Sequence, residues 1–272
     1  MSFLENIDKN KLQKIVLIVI SALTLAAITL LLTIIVLSIR PQSPAGPTGI
    51  EFNTVAVTDK DVNMGALMLA GENHPFTASD ALKETLVNCQ VYRNEHRGDA
   101  AKGPYYTMND LKMVDVAMEA AHKLLTDAEA AVGEDNVLIK LAFAEDSQNA
   151  EYATGLLMFL TDYDENKLPE SYATWLKANA AKYGFVESFE DAYRYVGVTH
   201  ATYMAEKELT LADYINYLKK NHSADKKMLE VGDYGVYYVS CKAGDSINVP
   251  ANNEYTVSGT NEGGVIVTVK LK

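Results

Sequence analysis

The chain has 272 residues and a formal net charge of −12, from 36 Asp and Glu against 24 Lys and Arg. Beyond residue 40 the imbalance is 34 against 20, which excludes a nucleic-acid surface built on excess base and electrostatic adhesion to an anionic wall or lipid. Acidity of this kind favours solubility and leaves the fold open.

The first 14 residues form a short tail carrying Lys9, Lys11 and Lys14. Ile15 to Ile39 follows as a 25-residue run without a charge, a proline or a glycine. A helix of that length measures about 37 Å at 1.5 Å per residue, enough to span a hydrocarbon core of about 30 Å with some tilt. A cleaved leader has an apolar stretch of only about 7–15 residues, so the reading is an uncleaved anchor. Cleavage near Ala45 is the alternative. Three lysines precede the run and only Arg40 follows closely. The N-terminus is therefore expected in the cytoplasm and the chain from about residue 41 outside, making this a single-pass protein of the cell membrane.

Residues 40–50 read as a linker, because PQSPAGPTG at 41–49 is a stiff, unpacked spacer. The remaining length divides into a main domain at 51–222 and a β unit at 223–272, enough for a sizeable core. In the main domain, Leu111, Val114, Met118, Ala121, Leu125 and Ala128 recur at helical steps. They predict a helix from Asn109 to Val132, stopped by Gly133. A second helix is predicted from Pro169 to Tyr183, with Trp175, Leu176 and Ala180 on one side and Gly184 as its cap. A third runs from Thr210 to Lys220, with Thr210 as N-cap and Asp213 three residues later. The last fifty residues turn to short strands at Val236–Ser240, Ser246–Pro250, Tyr255–Ser258 and Val265–Leu271, separated by Gly, Asn and Pro. Helices and strands are segregated, so the fold class is α+β. Cys89 and Cys241 both fall where a disulfide can persist. The sequence does not show whether they meet, and neither has the paired spacing of a zinc site.

Several segments, in order, resemble one family. These are DVNMGALML at 61–69, TWLKANAAKYGFV at 174–186, YRYVG at 193–197, LTLADYI at 209–215 and SGTNEGGVIVTV at 258–269. Together they are similar to the membrane-anchored D-alanyl-D-alanine carboxypeptidases of the VanY type, zinc peptidases that trim peptidoglycan stem peptides. The resemblance implies an antiparallel sheet with flanking helices, a strand near residues 61–69, and an outer-surface location in a Gram-positive-like cell.

It also implies a zinc site, and the matching positions do not supply one. Such a site needs three protein ligands, an open position for water and a carboxylate to move protons. The family draws two ligands from Ser-x-His-x-x-Gly-x-Ala-x-Asp, which aligns with AEYATGLLMF at 150–159. Gly155 fits, but Tyr152 stands at the His position and Phe159 at the Asp position. Counting back from Arg194 in the family's Glu-x-Trp-His-x-Arg-Tyr-Val-Gly, the third ligand falls on Ala192, the catalytic Glu on Phe189 and the intervening Trp on Asp191. The family's substrate-holding Arg falls in 138–147, which has none. No catalytic residue, no metal ligand and no bound cofactor is therefore expected. The three rings Tyr152, Phe159 and Phe189 are expected to close on one another, since a vacated polar pocket is costly unless apolar groups fill it.

Other candidates carry less. Asp162, Asp164 and Asn166 alternate like the start of a calcium loop, but Lys167 replaces its Gly and Ala173 its bidentate Glu. Arg194 is a candidate residual contact to a ligand carboxylate, set against a structural ion pair. Histidines 74, 96, 122, 200 and 222 show no metal-ligand spacing, and Tyr183, Tyr193 and Tyr195 are expected in the core. The functional expectation is a non-catalytic carboxypeptidase-like protein that binds peptidoglycan stem peptide or an envelope protein. The alternatives are an active carboxypeptidase with a rearranged metal site, or an envelope-assembly module that binds proteins alone.

Overall fold

The computed structural model describes residues 17–31, 50–98, 103–133 and 136–272. The apolar run is helical over residues 17–31, with every residue there exposed. Among the described residues no helix is long and apolar enough to cross a membrane. The rest of the predicted span, 15–16 and 32–39, lies outside the described residues, as do the tail at 1–14 and the linker up to residue 49. The chain divides into two units, 1–42 and 43–272, and the second holds the candidate site.

Its strands, in chain order, are β1 (Phe52–Ala56), β2 (Leu86–Asn88), β3 (Tyr106–Thr107), β4 (Lys112–Val114), β5 (Val137–Leu141), β6 (Leu157–Asp162) and β7 (Phe185–Phe189). They continue as β8 (Ala192–Tyr195), β9 (Leu229–Val231), β10 (Tyr234–Ser240), β11 (Ser246–Pro250), β12 (Tyr255–Gly259) and β13 (Gly264–Lys270). The main sheet has the order β3-β5-β6-β8-β7. Its inner pairs are antiparallel, as the resemblance implies, but β3 lies parallel to β5. The sheet is therefore mixed. Parallel neighbours need a long crossover, and the helix Asp115–Val132 lies between β3 and β5 in the chain.

That helix buries Ala117, Met118, Ala121, Leu124, Leu125 and Ala128, a stripe at three- and four-residue spacing. It packs with Met158, Leu160, Tyr172, Leu176 and Tyr193 in one core, each large apolar side chain contributing about 1.5–3 kcal/mol. It starts six residues later than its periodicity predicts. Lys112–Val114 instead pairs with β2, and the Val114 amide donates to Gly155 O. The Leu111 carbonyl is taken by the Cys89 amide, so both residues are held in extended pairing. The second predicted helix is Glu170–Asn179, tightened into a 3-10 turn over Ala180–Tyr183. The third is Leu211–Asn221, with the Thr210 side chain accepting from the Asp213 amide.

The C-terminal strands form a sheet of order β12-β13-β10-β9. Two observations tie the C-terminal strands to the elements before residue 222. β1 pairs with β11 along its whole length, Phe52 opposite Pro250 through Ala56 opposite Ser246. A second core joins Val196, Ala201, Tyr214, Ile215 and Leu218 to Val236 and Ile266. The segment 61–69 is also not a strand. Thr58 and Asp61 form a reciprocal capping box that starts a short helix, Asp59–Asn63.

His200 sits buried at the joint between the helices and the C-terminal sheet. Its Nδ1 is 2.9 Å from the Tyr214 hydroxyl and its Nε2 is 3.0 Å from Thr268 Oγ1. Burial pushes the imidazole down to about 4. The cysteines are free and lie in separate cores, Cys89 in the one that includes Met113 and Cys241 in the one that includes Ile247.

Candidate functional site

The candidate site is built on β6 and β8. Their register sets Leu157 opposite Arg194 and Phe159 opposite Ala192. Side chains alternate across a strand, so Ala192 and Arg194 share one face while Tyr193 packs into the helix-covered core on the other. Tyr152 reaches the same face as Ala192 from a 3-10 turn, Ala150–Thr154, which ends at Gly155 in the left-handed region. There φ is +67°, which favours glycine, and a Cβ would lie 2.8 Å from Leu86 Cδ2.

The three rings meet. Phe189 lies 6.4 Å from Tyr152 edge-on and 6.4 Å from Phe159 in a stacked arrangement. A register shift between Glu187 and Phe189 brings Phe189 opposite Ala192. Tyr152 is 5% exposed and Ala192 fully buried, in a small cluster with Leu157 that Leu141, Ala144 and Phe159 pack against. Phe189 remains 39% exposed and forms the outer wall. The positions that align with a zinc site are thus neighbours in space, and they present a phenol, a phenyl and a methyl group. Zinc takes thiolate, imidazole or carboxylate donors. Burial, with Glu151 adding to it, raises the Tyr152 phenol above its ordinary value, so it stays protonated. These residues do not fit the ion. Among the described residues, no group of three or more His, Cys, Asp and Glu stands together to hold a metal elsewhere.

Asp191 lies in the turn between β7 and β8. Asp191 has φ 59° and its carbonyl accepts from the Leu160 amide at 2.9 Å. Burial, and then Glu190, raise its carboxyl above the usual range. The candidate calcium residue Asp162 is not left free. It accepts from the Asn166 amide at 2.6 Å and from Asn166 Nδ2 at 3.1 Å, closing a local turn, and Ala173 is inside the helix Glu170–Asn179.

Arg194 is 1% exposed. Its Nη2 donates to Met68 O at 2.7 Å, and its Nη1 lies 3.6 Å from Glu151 Oε1. Glu151 is held in turn by the Ser188 hydroxyl, which donates to Oε2 at 2.6 Å. The ion pair set against ligand contact in the sequence reading is therefore present. It is incomplete, because Nε and Nη1 have no hydrogen-bond partner. Burial lowers the guanidinium from its ordinary value and Glu151 raises it. Beside this pair opens a cavity of about 450 Å³, lined by His74, Glu151, Glu187, Ser188, Arg194 and Glu208 among others.

No local sequence signal marks this cavity. Glu151 occupies a variable position of the aligned motif, and His74 and Glu208 are far from it in sequence. The cavity wall also depends on the C-terminal strands. In the β12–β13 turn, Asn261 Nδ2 donates to Leu69 O and Pro75 O, both at 3.0 Å. Next to it Glu262 holds His74 Nε2 at 2.7 Å and pairs with Lys219. The remaining histidines make local contacts: His122 Nδ1 lies 3.0 Å from the Tyr105 hydroxyl, His96 stacks on Tyr92, and His222 Nδ1 lies 2.8 Å from Lys227 O.

No family model matches the chain. In sequence it is 28% identical over 264 residues to the D-alanyl-D-alanine carboxypeptidase of Enterococcus faecium, across 85% of this chain and 84% of that protein. In structure it is similar to the vancomycin-resistance D,D-dipeptidase VanXYg, solved in complex with a D-Ala-D-Ala phosphinate analogue. The TM-score is 0.62 at 18% identity, covering 81% of this chain and 99% of that one. The chain thus resembles the D-alanyl-D-alanine carboxypeptidases over most of its length and has the fold of a D,D-dipeptidase.

Proposed function

We propose that this protein is a non-catalytic relative of the D-alanyl-D-alanine carboxypeptidases, anchored in the cell membrane with its folded domain outside, and that it binds peptidoglycan stem peptide. One observation carries the reading: the positions that align with the three zinc ligands and the catalytic carboxylate hold Tyr152, Phe159, Ala192 and Phe189, gathered into one apolar cluster. A zinc peptidase needs the metal to polarise the carbonyl and to generate its hydroxide, and a cluster without donor atoms supplies neither. The likeness to a D-alanyl-D-alanine carboxypeptidase supports the choice of ligand. The N-terminal apolar run supports the location.

Two measurements on the full-length chain in detergent test this. After refilling with zinc and dialysis, metal content should be near zero and no D-alanine should be released from a pentapeptide. The same protein should co-sediment with isolated sacculi. One tightly held zinc per chain with D-alanine release would refute the non-catalytic reading. Failure to sediment would refute wall binding and turn the search to protein partners.

A further inference from the structure

A second cavity, of about 460 Å³, opens between the helix Glu170–Asn179 and the ends of β7 and β8. Its volume falls in the range of small-ligand pockets, about 300–1,000 Å³. Tyr193 reaches it from the sheet face opposite Ala192 and Arg194. Two buried polar side chains line it, Tyr193 at 2% exposure and Asp191 at 7%. A buried tyrosine hydroxyl ordinarily finds a hydrogen-bond partner. That of Tyr193 has none among the described residues. It is not sealed into the core either, because it borders the cavity. Burial, and then Glu187 and Asp191, raise the phenol above its ordinary value. It therefore stays protonated, with oxygen lone pairs free to accept.

The charges around this hydroxyl define what would bind. Glu187 stands directly opposite Tyr193 in the β7–β8 register, so the two side chains share a face. Asp191 accepts from the Leu168 amide, and a carboxylate has further lone pairs to offer. At the rim, Lys167 is taken by Glu190 at 2.5 Å. That leaves Lys177 against Glu170, Glu187 and Asp191. An anion would meet this surplus of carboxylates, and like charges select against the wrong partner. Among the described residues no three such side chains stand together to hold a metal ion. A cation with N–H donors answers both the carboxylates and the open hydroxyl. We propose that this cavity binds a small molecule bearing a primary ammonium, which donates to the Asp191 carboxylate and the Tyr193 hydroxyl oxygen, with Glu187 adding counter-charge. The site shares no side chain with the ring cluster and does not depend on wall binding.

The experiment is a calorimetric titration of the full-length chain in nonionic detergent with three probes. n-Butylamine carries the ammonium with its N–H donors. Butyltrimethylammonium keeps the charge and has no N–H. 1-Butanol has neither charge nor ammonium. Saturable binding is expected for butylamine at millimolar concentration, and binding about tenfold weaker or worse for the other two. Two variants locate the site. Tyr193→Phe removes the hydroxyl alone. Asp191→Asn removes the charge at a positive φ of 59°, which asparagine tolerates. Each should weaken butylamine about tenfold. The urea midpoint of Tyr193→Phe should equal or exceed that of wild type, because the lost hydroxyl has no partner within the protein. Four results would each overturn the assignment: no saturation by butylamine, equal binding of butylamine and butyltrimethylammonium, unchanged butylamine binding in Tyr193→Phe, or a lowered midpoint in that variant, which would show the hydroxyl to be bonded within the fold.

Discussion

His200 makes the fold sensitive to acid, and the size of the effect can be worked out. Both of its ring nitrogens are engaged, by Tyr214 and Thr268, and burial holds it down to about 4. In the unfolded chain it titrates near the ordinary 6.5. Between those two values the unfolded state binds a proton that the native state refuses. Stability is therefore full above pH 6.5, falls as pH drops toward 4, and levels off below. A gap of that width corresponds to about 3 kcal/mol at most. Replacing His200 by Gln keeps a neutral hydrogen-bonding side chain and removes the titration. At pH 7.5 the variant should be less stable by about 1 kcal/mol, for imperfectly replaced hydrogen bonds. At pH 4.5 wild type has lost most of its 3 kcal/mol, so the variant should be the more stable by about 1–2 kcal/mol. The two curves should cross near pH 6. Urea unfolding of both proteins at four pH values reads this directly, and carboxylate contributions cancel in the difference. Curves that stay parallel from pH 7.5 to 4.5 would refute the assignment of acid sensitivity to His200.

Four further outcomes are expected. The variant Tyr152→His/Phe159→Asp/Ala192→His puts zinc donors back at neighbouring positions, and should retain about one zinc per chain after dialysis; a folded variant without metal would show that the positions no longer converge. Glu151→Ala leaves the buried Arg194 without its counter-charge and should cost about 3–5 kcal/mol in urea unfolding, whereas an unchanged midpoint would show the pair to be inert. Gly155→Ala combines a positive φ with a Cβ 2.8 Å from Leu86, and should lower stability by about 2 kcal/mol. Burial pushes the Cys89 thiol up to about 12 and the Cys241 thiol up to about 11. Both should resist a thiol reagent at pH 8 in the native protein and react at once in denaturant, and fast native labelling would contradict their burial.

The sequence shows its helices well and its joints poorly. The buried stripe of Asp115–Val132 and the cap of Leu211–Asn221 are local signals, and both were legible. The start of the first helix was not, because Leu111 and Val114 fit its period but are claimed by partners at Cys89 and Gly155. The same limit hid the union of β1 with β11, where no local pattern relates Phe52 to Pro250. At the site, the alignment of Tyr152, Phe159, Ala192 and Phe189 could be read by counting from Gly155 and Arg194. Their meeting follows from the β6–β8 and β7–β8 registers and from the turn that carries Tyr152. The cavity was illegible for the opposite reason, since Glu151 and Arg194 meet there residues from 69–74, 186–188 and 204–212, stretches that share no motif with them.

The pairing of β1 with β11 bears on how the domain comes into being. Residues 52–56 have no strand partner until 246–250 exist, nearly the whole chain later. Contacts of such sequence separation form slowly, and a chain that grows from its N-terminus must carry this strand unpaired through most of synthesis. The clamp of Asn261 on Leu69 and Pro75 completes later still. The cavity wall is therefore among the last parts to assemble. A chain cut short before residue 246 could form the helix-covered face of the main sheet yet would leave both the first strand and the cavity wall without their partners.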